Sequence, residues 1–365
     1  MKTPFFLLVI LPLALASPAF AQTSETEDRY KRFLERFPES DANKDGVLTH
    51  PEATVFLRKR REELEDEPEL AANVPKPTHA DVSYGDHGKQ AFDIWLADSK
   101  DGKPAPLCIY IHGGGFRGGD KSRVHASELR RFLDAGISYV SMNYRLSDGG
   151  KHPYPAAMHD SARGLQMIRS KAGEWNIDPE RIACYGGSAG AGISLWLAFH
   201  EDLADPDSKD PVARQSTRIV AAGTNGGQST YDMHVYREWF GVPDLPPHDA
   251  LDAFFAIQKG EDMDSERVKT IMHDASPITH LTRDDVPVYM EYGNRPNSPV
   301  NKETTQGEWV HHPLLGIKLR EAMSKLGLDC YVNYRDNEEG EHEDMTGFLM
   351  EMLRGGHQSE GQDGP

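Results

Sequence analysis

Cysteine is scarce, with three thiols in 365 residues, and the odd number excludes complete intramolecular pairing while leaving room for one pair. Cys108, Cys184 and Cys330 each sit in or beside a strongly apolar segment, so three buried free thiols are expected. An excess of positive charge is missing as well. Forty Lys and Arg against 58 Asp and Glu leave a formal charge of −18, which repels phosphate backbones and anionic lipid and argues against nucleic acid or a membrane surface as partner. Beyond residue 21 no apolar run reaches the ~20 residues that a bilayer span needs, so no membrane span is expected.

The first 21 residues do carry a pattern. Lys2 supplies a positive start, residues 5–16 an apolar run broken by Pro12, and Ala19-Phe20-Ala21 an A-x-A cleavage site. Residues 1–21 are therefore expected to direct export and to be removed, leaving a periplasmic or secreted chain.

A second pattern follows at 41–52, where Asp41, Asn43, Asp45, Val47, Thr49 and Glu52 occupy positions 1, 3, 5, 7, 9 and 12 of a twelve-residue loop with Gly46 at position 6. Ca²⁺ takes six to eight oxygens, and this spacing offers side-chain oxygens from Asp41, Asn43 and Asp45, the Val47 carbonyl, and a bidentate Glu52. It is the pattern of an EF-hand. Apolar residues at helical spacing (Phe33, Leu34, Phe37) precede the loop, so a small helix-loop-helix module is expected over 25–65, holding one structural Ca²⁺. No second such loop is present, which favours a stabilising role over a sensing one. Residues 66–78, with Pro68, Pro75 and Pro77, read as a linker.

From residue 79 short β-rich runs alternate with helical patterns, the signature of a doubly wound, mostly parallel sheet in an α/β domain extending to 356, with a disordered tail at 357–365. Strands are expected at 80–84, 92–97, 107–111, 137–144, 182–185, 219–224, 286–292 and 330–334, and helices at 122–135, 156–175 and 344–353. The 182–185 strand runs into Gly186-Gly187-Ser188-Ala189-Gly190 and then a helix start. Strand, sharp turn and helix form the context in which G-x-S-x-G is a nucleophile elbow, with Ser188 as nucleophile. Directly after the third strand, His112-Gly113-Gly114-Gly115-Phe116 supplies a glycine turn whose Gly113 and Gly114 N–H groups, with that of Ala189, are the expected donors to an oxyanion.

These motifs, together with Asn143-Tyr144-Arg145-Leu146, Tyr154-Pro155-Ala156-Ala157 with Asp160, and the run 176–182, resemble the hormone-sensitive-lipase and acetyl-esterase branch of the α/β-hydrolases. The resemblance implies the α/β-hydrolase fold, a structural Arg145–Asp160 ion pair, and a serine esterase cleaving carboxylic esters, which with the export pattern would act outside the cytoplasm, for instance on acetyl or feruloyl esters of polysaccharide. It also implies a triad in the chain order Ser, acid, His. By that order the base is His342, in the loop before the last helix, with His311 and His312 beside Trp309 as runners-up. The acid is due after the strand ending near Tyr292, where Asn297 stands instead. Glu303 is the favoured substitute, ahead of Glu308, Glu291 and the acids beside His342. The missing aspartate keeps open a hydrolase-fold binding protein without turnover, and the same machinery would serve an amidase or peptidase. An insert between 224 and 286, containing Tyr231, Met233, Tyr236, Trp239, Phe240, Phe254 and Phe255, is expected to cover the site.

Overall fold

The computed structural model describes residues 23, 31, 34, 37–49, 52, 53, 55, 56, 74–98, 102–335, 337, 342 and 344–355. The expected export segment, most of the helical flanks of the calcium loop, the start of the linker, the acids at 338, 339, 341 and 343, and the tail at 357–365 lie outside the described residues. The chain divides into two compact units, 1–72 and 73–365.

In the first unit the loop at 41–49 is closed by its own carboxylates. Asp41 accepts the N–H groups of Lys44 and Gly46, both at 2.8 Å, Asn43 Oδ1 accepts that of Asp45 and Asp45 Oδ1 that of Val47, each again at 2.8 Å. Gly46 stands at φ +86°, a conformation that glycine adopts without strain. Leu48 is fully buried with Ala53 and packs on Leu34, Phe37 and Phe56, as the inward position of such a loop requires. Thr49 bridges antiparallel to Thr23. Glu52 turns back on the loop, its Oε2 accepting the Thr49 N–H at 3.0 Å and the Thr49 hydroxyl at 2.7 Å.

The second unit is built on one sheet. Its strands are β1 (His79–Ser83), β2 (Ala91–Trp95), β3 (Ala105–Ile111), β4 (Ser138–Met142), β5 (Ile177–Gly187), β6 (Ala222–Asn225), β7 (Val288–Tyr292) and β8 (Cys330–Tyr334), in the spatial order β1-β2-β4-β3-β5-β6-β7-β8. The β1–β2 and β2–β4 pairs are antiparallel and the rest parallel. The helices are α1 (Ala126–Asp134), α2 (Ala156–Ser170), α3 (Ala172–Trp175), α4 (Ala189–Phe199), α5 (Met233–Phe240), α6 (Leu251–Phe254), α7 (Glu266–Ala275), α8 (Gln306–Trp309), α9 (Leu314–Leu326) and α10 (Met345–Leu353).

The period-two alternation of buried strands sorts the side chains into two cores. Leu107, Ile109 and Ile111 of β3, Ile182 and Cys184 of β5, and Val288 and Met290 of β7 face one core, which α2, α4 and α9 cover. Cys108, Ala183, Tyr185 and Tyr289 face the other, beneath Leu129 and Phe132 of α1 and Phe348 and Leu349 of α10. All three cysteines are buried and free. The helix expected at 156–175 is two helices, broken at Lys171 (φ −100°, ψ 0°), and ends in a left-handed Asn176 at φ +52° that turns the chain into β5. The Arg145–Asp160 pair forms as the resemblance implies. Its guanidinium donates to the buried carboxylate at 2.7–3.1 Å, and Gln90 Nε2 adds a bond at 2.7 Å.

Candidate active site

Ser188 stands where β5 ends and α4 begins, at φ +49° and ψ −116°, a backbone conformation that a side chain bearing a Cβ adopts only where the surroundings hold it. Two bonds do so: Ser188 N–H donates to Asn225 O at 2.9 Å, and Gly192 N–H donates to Ser188 O at 3.0 Å. The turn is pressed against the end of β3. A Cβ on Gly190 would lie 2.0 Å from Ile111 O, and one on Gly186 would lie 2.4 Å from the same oxygen. That close approach sets the glycine turn beside Ser188, since a Cβ on Gly113 would meet Gly187 O at 2.7 Å and Ser188 Cβ at 3.4 Å. The N–H groups of Gly113, Gly114 and Ala189 thus belong to two turns in van der Waals contact, the Ala189 group lying at a helix N-terminus whose dipole favours negative charge.

The glycine turn is locked from behind. His112 stacks on Tyr144 with ring centroids 4.5 Å apart, its Nδ1 lies 2.8 Å from Gly113 O, and Tyr144 Oη donates to His112 O at 3.0 Å. Burial holds the His112 imidazole below the usual histidine range, so it is neutral at pH 7 and serves as a wedge. Phe116, at φ +59°, stacks on Phe254 at 3.9 Å and ties the turn to the insert.

The histidine that meets Ser188 is His311, whose Nε2 lies 2.9 Å from Ser188 Oγ. This corrects the expectation for His342. The His342 Nδ1 pairs with Glu351 at 3.2 Å, and its ring lies edge-on to Tyr331 (4.6 Å) and Phe348 (5.1 Å). Those aromatic neighbours belong to the core on the face of the sheet opposite α4, so the ring packs away from the elbow.

His311 is delivered by a short, well-braced connection. The one-turn helix α8 starts in a capping box, Glu308 Oε2 accepting the Thr305 N–H at 3.0 Å and its hydroxyl at 2.7 Å. Trp309 is fully buried beneath it. His312 points the other way; its Nδ1 accepts the Leu314 N–H at 3.1 Å, which leaves Nε2 to donate to Ser298 O at 3.0 Å, and burial lowers its pKa. The buried Gln228 amide then donates to Gly226 O at 2.6 Å and to Val310 O at 3.0 Å, joining the turn after β6 to the residue before His311. Sequence reasoning missed Gln228 altogether.

The expectation for Glu303 also needs correction, while the acids beside His342 lie outside the described residues. Glu303 is exposed, with its N–H on Asn301 Oδ1, and among the described residues no hydrogen bond or ion pair joins it to His311 or Ser188. Glu308 is engaged at the helix cap, and Glu291 accepts the Met345 N–H at 3.1 Å. Asn297 is exposed, on a loop held through the Ser298 carbonyl.

Beside Ser188 lies a cavity of about 50 Å³, walled by Phe116, Tyr231, Tyr236, Leu251, Trp309 and Val310. Tyr231 and Tyr236 come from the insert, as expected, while Phe254 and Phe255 are fully buried core. No helix among the described residues is long and apolar enough to cross a membrane.

A mostly parallel sheet with a serine elbow at the end of β5 and an adjoining glycine turn defines an α/β-hydrolase-like esterase fold. The chain belongs to the BD-FAE family, whose match spans residues 92–306 and so ends before His311. It is 29% identical over 215 residues to the probable carboxylic ester hydrolase LipM of Mycobacterium tuberculosis (58% of this chain, 47% of that protein). It is 31% identical over 180 residues to the carboxylesterase NlhH of the same organism (48% and 52%). The chain thus spans about half the length of these curated relatives. Among solved structures, a truncated carbohydrate esterase from gut microbiota shares the fold at a TM-score of 0.57 and 18% identity, covering 77% of this chain and 100% of that one.

Proposed function

We propose that the protein is a serine hydrolase of carboxylic esters carrying small acyl groups. The single observation that carries this reading is the 2.9 Å contact between His311 Nε2 and Ser188 Oγ, because a serine hydroxyl becomes a competent nucleophile only when a base takes its proton. Ser188 Oγ attacks the ester carbonyl while His311 Nε2 accepts the proton. The oxyanion of the tetrahedral intermediate is met by the Gly113, Gly114 and Ala189 N–H groups, each donor contributing about 3 kcal/mol. His311 then protonates the departing alkoxide, and a water activated by the same imidazole releases the acid. The names of the curated relatives, carboxylic ester hydrolase and carboxylesterase, support the reaction class. The cavity of about 50 Å³ supports acetyl over feruloyl on the acyl side, and polysaccharide acetyl esters outside the cytoplasm are the substrate proposed. A fluorophosphonate probe is expected to label the wild type and not Ser188→Ala, together with turnover of p-nitrophenyl acetate. A folded wild-type protein that takes no label sinks the proposal.

We further propose that residues 1–21 are an export signal, on the strength of Lys2, the apolar run and the Ala19-Phe20-Ala21 site. The mass of the chain recovered from outside the cytoplasm should begin at Gln22.

The loop at 41–52 is proposed to hold one Ca²⁺ through Asp41, Asn43, Asp45, Val47 O, Thr49 and Glu52. Among the described residues no three His, Cys, Asp or Glu side chains converge as a metal cluster. A calcium loop draws half of its ligands from outside that set, however, here Asn43, a carbonyl and Thr49. The Asp41 bonds to Lys44 and Gly46, the positive φ at Gly46 and the buried Leu48 all fit the group. When bound, Ca²⁺ would cross-link the loop through these oxygens. At millimolar Ca²⁺ the melting temperature of the mature chain is expected to rise above its value in chelator, Glu52→Gln is expected to abolish the rise, and terbium luminescence provides an independent readout. Identical melting in both buffers counts against the site.

A further inference from the structure

The cavity beside Ser188 is roofed by residues 247–250 of the insert, and this strap is fastened at both sides of the site. On one side Arg117, which follows the glycine turn, donates to Asp249 Oδ1 at 3.0 Å, and a Cβ on Gly115 of that turn would touch Ala250 Cβ at 3.6 Å. On the other, Gln306 at the head of α8 accepts the Asp249 N–H at 3.3 Å and donates to Pro247 O at 3.5 Å. Between the two, His248 and Ala250 form part of the cavity wall, His248 Nδ1 accepting the Ala250 N–H at 3.1 Å while its ring lies edge-on to Trp309.

The strap runs into α6 through the Leu251 N–H bond to His248 O at 3.0 Å, and its side-chain fastenings to the rest of the site are weak. Arg117 and Asp249 are 47% and 64% exposed, and an exposed pair of this kind holds an equilibrium over by no more than about fivefold. Both Gln306 contacts are long. The cavity of about 50 Å³, open to solvent on one side, is a few times the ~10–15 Å³ that one water needs on the same measure, so it fits a short acyl group better than a long one.

We propose that residues 247–250 are a hinged roof that sets acyl length, with the Arg117–Asp249 pair as its latch. The inference rests on the serine-hydrolase reading of Ser188. Acetyl esters react beneath the closed roof, whereas butanoyl and longer esters react only from the fraction of molecules in which the latch is open. Removing the latch therefore raises that fraction without altering the reacting groups.

The test compares kcat/KM for p-nitrophenyl acetate, butanoate and hexanoate in wild type, Asp249→Asn, Arg117→Gln and the double variant. The hexanoate-to-acetate ratio is expected to rise about three- to fivefold in each single variant and no further in the double. In wild type the same ratio should climb with added NaCl, and Asp249→Asn should abolish that dependence. A ratio unchanged in both single variants, with fluorophosphonate labelling of Ser188 intact, overturns the roof and leaves the esterase reading standing. A folded wild type that neither labels nor turns over any of the esters overturns both. Melting temperatures of the variants within a degree or two of wild type separate the latch from general loosening, and Asp249→Glu, which restores the charge, should bring the ratio back toward wild type.

Discussion

His311→Ala is expected to lower kcat on p-nitrophenyl acetate by about 10⁴- to 10⁶-fold, whereas His342→Ala should leave kcat unchanged. The asymmetry follows from where the two rings lie. His311 Nε2 is 2.9 Å from Ser188 Oγ, so its removal takes away the proton acceptor and the acid that protonates the leaving group in one step. His342 contacts Glu351, Tyr331 and Phe348, and its loss removes packing from the opposite core. It should therefore register in the melting temperature. His312→Ala offers a control one residue away, since that ring is spent on Ser298 O and Leu314 N–H. A His342 variant as inactive as Ser188→Ala, with His311→Ala active, would reverse the assignment of the base.

Gly190→Ala carries the largest expected effect on folding, more than about 4 kcal/mol, enough to remove most of the soluble protein. The added Cβ would stand 2.0 Å from Ile111 O and 2.7 Å from His112 O, and both obstacles are backbone of a central strand end. Nothing there can rotate aside. The comparison is Gly192→Ala, whose Cβ would stand 1.8 Å from Tyr231 Oη; a side chain can swing away, so that variant should fold at a cost of about 1–3 kcal/mol and show its damage in the cavity that Tyr231 lines. A soluble Gly190→Ala protein with the wild-type melting temperature would contradict the close packing of elbow on β3.

The difference between what could and could not be read ahead is physical. Gly186, Gly190 and Gly113 announce themselves because backbone approaches backbone at those points and only glycine fits, so the elbow and the glycine turn carry a local signature. The strand runs are equally plain, because a sheet covered on both faces needs continuous apolar segments. The base is a different kind of information. His311 and Ser188 are 123 residues apart, and their meeting depends on the Thr305–Glu308 cap, the plug of Trp309 and the direction taken at Pro313. Adjacent histidines end with opposite duties. The capping motif and the buried tryptophan before a His-His-Pro run were the available hints that this segment is rigid enough to present a side chain. The expected acid at Glu303 failed for a related reason, since proximity in sequence to β7 says nothing about which way an exposed loop carboxylate turns.

Gln228 gives this arrangement a thermal consequence. Its one carboxamide holds Gly226 O at 2.6 Å and Val310 O at 3.0 Å, a buried clamp spanning 82 residues of sequence that helps keep the turn beside Ser188 in register with the segment bearing His311. Two turn tips yield to heat sooner than the sheet beneath them. Warming should therefore disarm the molecule before it melts: the rate would peak and fall while the circular dichroism still reports an intact fold, and cooling would restore it.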